Sequence, residues 1–285
     1  MNSRDTPPIR VTRNSARCRT PLLSGLRALG GRRHLLLVLA AREVRDRYAG
    51  SLFGLLWAVF QPVALVGILI VVFTFAIGSR LAATPGAVDY TAYVVAGFLP
   101  WMAISGGLQA AAGSVRANPS LVKQIDFPLE VLPVKAVLSQ TVGQLIGLVL
   151  LVTYLVVRDL SLPVTLLLVV PAFVLQVVLT IGIGWILAVL ATYFRDLEHA
   201  LPALLMLNMY LLPIFFLEGA TPEVLRPVID YNPFTPVVHL FQDAIVFGEM
   251  RHASAWVATA VAAVLAFEFG FRLFQRARSG FGDLV

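Results

Sequence analysis

Between Arg47 and Arg80 the chain runs 32 residues without a charged side chain, and it enters that run from a strongly cationic stretch. A hydrocarbon slab about 30 Å thick takes about 20 helical residues, so this uncharged length predicts a transmembrane helix with a basic collar. Just before it the pattern changes. Leu37, Ala41, Val44 and Tyr48 share one helical face, and Arg42 with Asp46, and Glu43 with Arg47, stand one turn apart, where opposite charges pair. Residues 35–50 therefore read as an amphipathic interface helix, preceded by an Arg-rich arm over 1–34.

Composition agrees with a membrane setting. Only 13% of residues are charged and 58% are hydrophobic, with a mean hydropathy of +0.83, against about 25% charged residues in ordinary soluble domains. The net charge of +6 does not point to nucleic acid. Eleven of the 22 Lys and Arg lie in residues 1–50, beside the first span, where basic residues hold a segment in the cytoplasm. A single cysteine, Cys18, excludes a disulfide framework and a Cys-based metal site.

Uncharged stretches predict six helices near 52–77, 91–115, 133–157, 164–192, 200–217 and 254–274. The fourth window is long for one straight helix, and Pro163 and Pro171 predict a turn, kink or tilted entry there. Segments 1–50, 116–135, 193–199 and 272–285 hold 18 of the 22 basic residues, and the alternate loops hold 4. Both termini are thereby placed in the cytoplasm, with the chain integral to the cytoplasmic membrane. Arg32-Arg33-His34 before Leu35–Ala41 has the look of a signal sequence, but its apolar core is seven residues and charge resumes at Arg42.

Several activities are excluded by absence. A Walker A loop needs Gly-Lys, and the only lysines, Lys123 and Lys135, both follow valine. The four histidines (His34, His199, His239 and His252) fall in four separate segments, so no metal site is expected. Pumps and ion-coupled carriers place ionisable groups deep in their spans, and here only Glu268 is a candidate, with pairing to the interface helix or snorkelling expected in preference to proton coupling. Energy for uphill transport must come from another chain.

Two loops carry information. After the second span, Asn118 reads as an N-cap with Pro119 at the first helical position, and Pro128 stops that helix about two turns later. Leu121, Val122 and Ile125 form its apolar face, opposite Lys123, Gln124 and Asp126; it either lies on the membrane surface or meets a cytoplasmic partner. After the fifth span, Thr221-Pro222 and Thr235-Pro236 each read as cap plus first-turn proline, and Pro236–Phe247 is closed by Gly248. Two such short apolar helices suggest a re-entrant pair at the outer mouth. The predicted class is an all-α membrane protein: six transmembrane helices over 51–285, an N-terminal interface helix and two re-entrant outer helices over 221–248.

At this point a resemblance becomes specific. Arg47-Tyr-Ala-Gly-Ser-Leu-Phe-Gly-Leu-Leu-Trp57 with Gln61-Pro62 resembles the first-span signature of ABC-2 polysaccharide-export permeases. Asn118–Pro128 is similar to that family's coupling helix, Asn232-Pro-Phe-Thr-Pro236 to the stretch between its outer gate helices, Tyr193-Phe-Arg-Asp196 to its short inner motif, and Phe281-Gly-Asp-Leu284 to its ending. The likeness runs in order over 35–285. It implies a homodimer with two copies of a cytoplasmic ATPase that binds the ATP and Mg, so that this chain carries no cofactor and is no enzyme itself. It implies ATPase coupling through Asn118, Leu121, Val122, Lys123, Ile125, Phe127, Arg195 and Asp196. It implies an outer gate around Pro222, Asn232, Pro233 and Phe234.

The leading expectation is therefore export of a lipid-linked polysaccharide of O-antigen type, with efflux of a drug, lipid or small amphiphile as the alternative. Sugar faces present C–H groups that pack on aromatic rings, which makes Trp57, Phe60, Trp101, Tyr210, Phe215 and Phe216 candidates for a substrate path; interfacial belts use the same residue types. A membrane transferase using Asp196-Leu-Glu198-His199 is the remaining reading. Helices in one bundle pack about 8–10 Å apart, too close to admit a sugar chain, so the path is expected between two copies, lined by spans one and five.

Overall fold

The computed structural model describes residues 29–31, 33–74, 89–124, 127–159, 163–217 and 223–284, and every described element is helical. The helices are α1 (Arg33–Arg47), α2 (Leu56–Val72), α3 (Tyr90–Gly113), α4 (Pro119–Val122), α5 (Val131–Asp159), α6 (Val169–Tyr193), α7 (Arg195–Tyr210), α8 (Arg226–Asp230), α9 (Thr235–Gln242), α10 (Ala253–Ala277) and α11 (Phe281–Leu284). Four of these, α3, α5, α6 with the 3₁₀ turn Val164–Leu168 that leads into it, and α10, are long and apolar enough to cross a membrane. The turn at Pro163 meets the expectation for the long fourth window.

Helix α2 has 17 residues and α7 has 16. The fifth span, expected over 200–217, is displaced: its helix starts at Arg195, where Asp196 and Glu198 suit the positive end of the helix dipole, and it stops at Tyr210. Pro213 disfavours helix in the residue before it and has no N–H to give, so the chain turns at Leu211–Phe216.

Helix α3 is the centre of the bundle. Eighteen of its 24 residues are buried, and it packs against α5, α6, α9, α7 and α2. Its first turn is capped by Asp89, whose Oδ1 accepts from the backbone N–H of Thr91 (3.0 Å) and Ala92 (3.3 Å). The other Asp89 oxygen accepts from Tyr154 Oη (3.1 Å) and pairs with Arg158, which ties the outer ends of α3 and α5 together.

Deeper in the bundle, Gln144 of α5 and Gln176 of α6 exchange two amide hydrogen bonds of 2.8 Å, and Gln176 Nε2 also reaches the Pro100 carbonyl of α3 at 3.4 Å. Helices α6 and α10 touch backbone to backbone at Gly182 and Gly270: a Cβ on Gly270 would strike the Gly182 carbonyl, and one on Gly182 would strike the Ala266–Phe267 peptide. Small residues allow this close approach between membrane helices. One turn on, Trp185 packs edge-on against Phe267 and Phe271 and donates from Nε1 to the Glu130 carbonyl at 2.9 Å. Glu268, expected to pair with the interface helix, pairs instead with Arg272 on its own helix at 2.7 Å.

Gly270→Val should cost about 3 kcal/mol or more, since the added atoms meet backbone that cannot rotate away. Gln144→Leu should cost about 1 kcal/mol, since the two interhelical hydrogen bonds it removes are worth about 0.6 kcal/mol each in a membrane. Thermal denaturation of the purified variants in detergent checks the order; a glycine variant as mild as the glutamine one would refute the backbone contact.

Candidate functional site

One polar chain builds the end of the bundle that the basic residues of the sequence place inside. Helix α1 packs on α5, where Glu43 Oε2 meets the nearly buried Lys135 Nζ at 2.8 Å. Lys135 Nζ also donates to Asn118 Oδ1 at 3.4 Å, and Asn118 Nδ2 donates to the Ser114 carbonyl at 2.8 Å. The sequence predicts Glu43 opposite Arg47; the structure gives Glu43 to Lys135 instead, while the Arg42–Asp46 pair forms as expected at 3.3 Å. Asn118 precedes the helix as expected, yet its side chain does not cap it, being committed to Ser114 and Lys135.

Helix α4 is a single turn, not the two expected. Val122 is buried in a core shared with Leu36, Val115 and Val131, and Leu121 and Phe127 pack against the same cluster. The apolar face expected for a partner is thus largely covered by this chain, whereas Pro119, Ser120, Lys123 and Gln124 stay exposed. Ile125, like Asp126, lies outside the described residues. At the next turn Arg195 and Asp196 are exposed. Arg116 links the two turns, donating to the Thr192 carbonyl at 3.0 Å and standing 3.6 Å from Glu198. Glu198 is thereby engaged, and among the described residues no hydrogen bond joins His199 to Asp196 or Glu198.

The expected path residues separate into two groups. Phe53, Trp57 and Phe60 of α2 and the turn before it form an edge-to-face ladder with centroids 5.9 and 5.3 Å apart; Phe53 and Phe60 are exposed and Trp57 half-buried. Tyr210 at the end of α7 is exposed and stacks on half-buried Phe215 at 6.1 Å. The Phe215 and Phe216 carbonyls accept from Tyr90 Oη (2.7 Å) and Tyr93 Oη (2.9 Å), fixing this turn to α3. Trp101 departs from expectation. It is 1% exposed and packed edge-on against Phe234 at 5.3 Å, so its bulk fills the core of this chain and lines no surface of it.

At the outer segment, Asn232 is buried: Nδ2 donates to Asn208 Oδ1 (2.8 Å) and to the Leu211 carbonyl (3.2 Å), and Oδ1 accepts from the Phe234 N–H (3.0 Å). Asn232 therefore binds the outer segment to the end of α7, with Pro233 exposed and Phe234 half-buried beside it. Pro222 lies outside the described residues. Thr235 is the first residue of α9 and not its cap; its hydroxyl donates to the Ile229 carbonyl at 2.6 Å. Gly248 closes the segment in the left-handed conformation, φ 67°, as the sequence predicts.

Sequence reasoning missed a cluster here. Fully buried Asp243 accepts from the His252 backbone N–H (3.0 Å) and meets His252 Nδ1 (2.8 Å), and the His252 ring stacks on His239 with centroids 4.0 Å apart. The one available signal was a histidine inside the predicted helix, His239, with a second, His252, just beyond its end. Burial first, and the neighbouring His252 second, push His239 down from the ordinary 6.5 to about 4.

With this geometry in place, the comparisons assign the family. Residues 34–246 match the family described as ABC-2 type transporter, and the chain belongs to it. It is similar to the O-antigen export system permease protein RfbA of Klebsiella pneumoniae, 25% identical over 88% of this chain and 95% of that protein. The protein of the same name from Myxococcus xanthus is 25% identical over 89% of this chain and 96% of its own length. The polysialic acid transport protein KpsM of Escherichia coli is 24% identical over 73% of this chain and 79% of its own. The chain is thus an integral membrane protein of a transporter family.

Because unfolded His239 binds a proton near 6.5 and the folded residue only near 4, stability is full above about pH 6.5 and falls as pH drops through that window. The loss approaches about 3 kcal/mol at pH 4. His239→Gln should flatten the pH dependence of the melting temperature between pH 7 and 4.5; an unchanged slope would show that another group titrates there.

Proposed function

We propose that the chain is the transmembrane permease subunit of an ATP-driven exporter that moves a lipid-linked polysaccharide out across the inner membrane. The observation that carries this reading is the near end-to-end likeness to permeases named for O-antigen export, with a polysialic acid transport protein beside them. Small-molecule efflux has no such relative among them.

Energy is supplied by a separate ATPase. Neither lysine follows glycine, so no phosphate loop can form here, and ATP and Mg belong to that partner, two copies of which serve a permease homodimer. Lys123, Arg195 and Asp196, exposed on inner loops, are the proposed contacts, with Leu121 at their edge. Helices α2 and α7 complete six spans, the distribution of basic residues puts both termini in the cytoplasm, and α8 and α9 form the re-entrant outer pair around Asn232–Phe234.

The path runs along α2 and the outer end of α7. Exposed positions on α5, α6 and α10 are mostly aliphatic, among them Val149, Val174, Val257 and Val261, a surface suited to lipid tails. Exposed aromatics on α2 and α7 stand at Phe53 and Phe60 and at Tyr210, with Trp57 and Phe215 behind them, and others are exposed at Tyr193, Phe194, Tyr231 and Phe269. Rings at these positions can stack on sugar C–H faces. A channel between two copies would bring them together.

The purified permease should turn over no ATP until its ATPase is added. In the assembled exporter, photoreactive probes on Trp57→Cys and Tyr210→Cys should label a stalled polysaccharide, while probes on Val149→Cys and Val174→Cys should not. Labelling of all four alike would overturn the path. Asp196→Arg should lower export about tenfold, equivalent to about 1.4 kcal/mol of lost contact with the ATPase, with both subunits still present in the membrane.

A further inference from the structure

Where the end of α1 meets α2 and α5, the structure holds a cavity of about 200 Å³. This is below the range of about 300–1,000 Å³ typical of whole-ligand pockets, and suits a headgroup. Its polar wall is made by Arg47, Tyr48, Gln61, Ser139 and Gln140, and no carboxylate lines it. Arg47 donates to Gln140 Oε1 and to Ser139 Oγ, each at 3.2 Å, and Tyr48 Oη donates to Gln61 Oε1 at 2.9 Å.

Among the described residues the charge of Arg47 has no carboxylate partner. Glu43, one turn back, is held by Lys135, and Asp46 is held by Arg42. Among the described residues Arg47 therefore has neutral acceptors only, and its five-donor fork keeps N–H groups to spare. Ser139 and Gln140 stand eight or nine residues into α5, about 12 Å along the helix from its inner end. Arg47 is exposed, and an unpaired cation beside a membrane span calls for an anion or an escape to the surface. Beside the cavity, Leu56, Val59, Phe60 and Val63 of α2 present exposed apolar side chains where a hydrocarbon tail can lie.

We propose that this cavity binds the phosphate of a membrane lipid, with Arg47 as its countercharge, the Gln140 amide as a further donor, and the lipid tail along α2. The site holds the end of the interface helix against α2 and α5 through a lipid bridge. It rests on membrane placement and the cavity geometry, and stands whether or not the cargo is a polysaccharide.

Native mass spectrometry of the full-length protein in detergent tests this with added phosphatidylglycerol, neutral diacylglycerol or inorganic phosphate. Phosphatidylglycerol should remain bound and the other two should not. Arg47→Gln should weaken its retention at least tenfold, Arg47→Lys less, and Arg42→Gln not at all, with melting temperatures measured to show that each variant is folded. Competition by a polyprenyl pyrophosphate then separates the sources: displacement assigns the site to a cargo carrier lipid, and retention to a bulk phospholipid. Equal retention in Arg47→Gln, binding of diacylglycerol as strong as phosphatidylglycerol, or full competition by millimolar inorganic phosphate would overturn a lipid-phosphate site.

Discussion

Inside a bilayer an apolar side chain gains little by leaving lipid for protein, so helix association must rest on close packing and on polar groups that find partners. Both devices are concentrated around α3. The glutamine pair joins α5 to α6 and reaches the Pro100 carbonyl of α3, and the glycine contact lets α10 lie directly on α6. With α6 held from both sides, α3 is enclosed over most of its length, and its ends are fixed by Asp89 outside and Asn118 inside. The faces left over are those of α2 and α7, which pack on α3 but do not form a packed pair with each other.

Four long spans were legible because charge is costly in hydrocarbon, whereas in the uncharged run 48–79 the described helix, Leu56–Val72, is shorter. The arrangement of Pro163 before the fourth long helix and the Gly248 terminator were likewise readable, since each acts through its own backbone. Partners chosen across the fold were not. Helical spacing offers Glu43 to Arg47 and to anything else on the same side, and only the packing of α1 on α5 gives it to Lys135. Periodicity marked Val122 as apolar-facing but could not say that the cover is this chain's own Leu36 and Val131. Trp101 failed for a related reason: an aromatic residue in a span reads the same whether it faces a channel, lipid or a neighbouring Phe234.

The inner and outer ends of the molecule differ in how they hold charge. Inside, Glu43, Lys135, Asn118 and Ser114 form one continuous chain across α1, α5 and the end of α3, and Arg116 carries the link to Thr192 and Glu198 at the α6–α7 turn. These bonds tie the ends of several helices together. Outside, Asn232 fastens the short helices to the end of α7, and buried Asp243 fastens them to the start of α10 through His252. The outer segment thus joins α7 to α10, and a movement of either must carry it along.

This has a consequence for how a path could open. The aromatic positions on α2 sit at its inner half, beside the interface helix, while Tyr210 and Phe215 sit at the outer end of α7. Within one chain α2 and α7 both pack on α3. In the proposed homodimer, a two-fold axis could stand α2 of one copy beside α7 of the other, with an aromatic group from each at the seam. The same seams would hold the outer segment through Asn232 and the interface helix through Arg47 and Lys135. Opening at the seam would then require no rearrangement of the α3, α5, α6 and α10 core, whose glycine and glutamine contacts tolerate little movement.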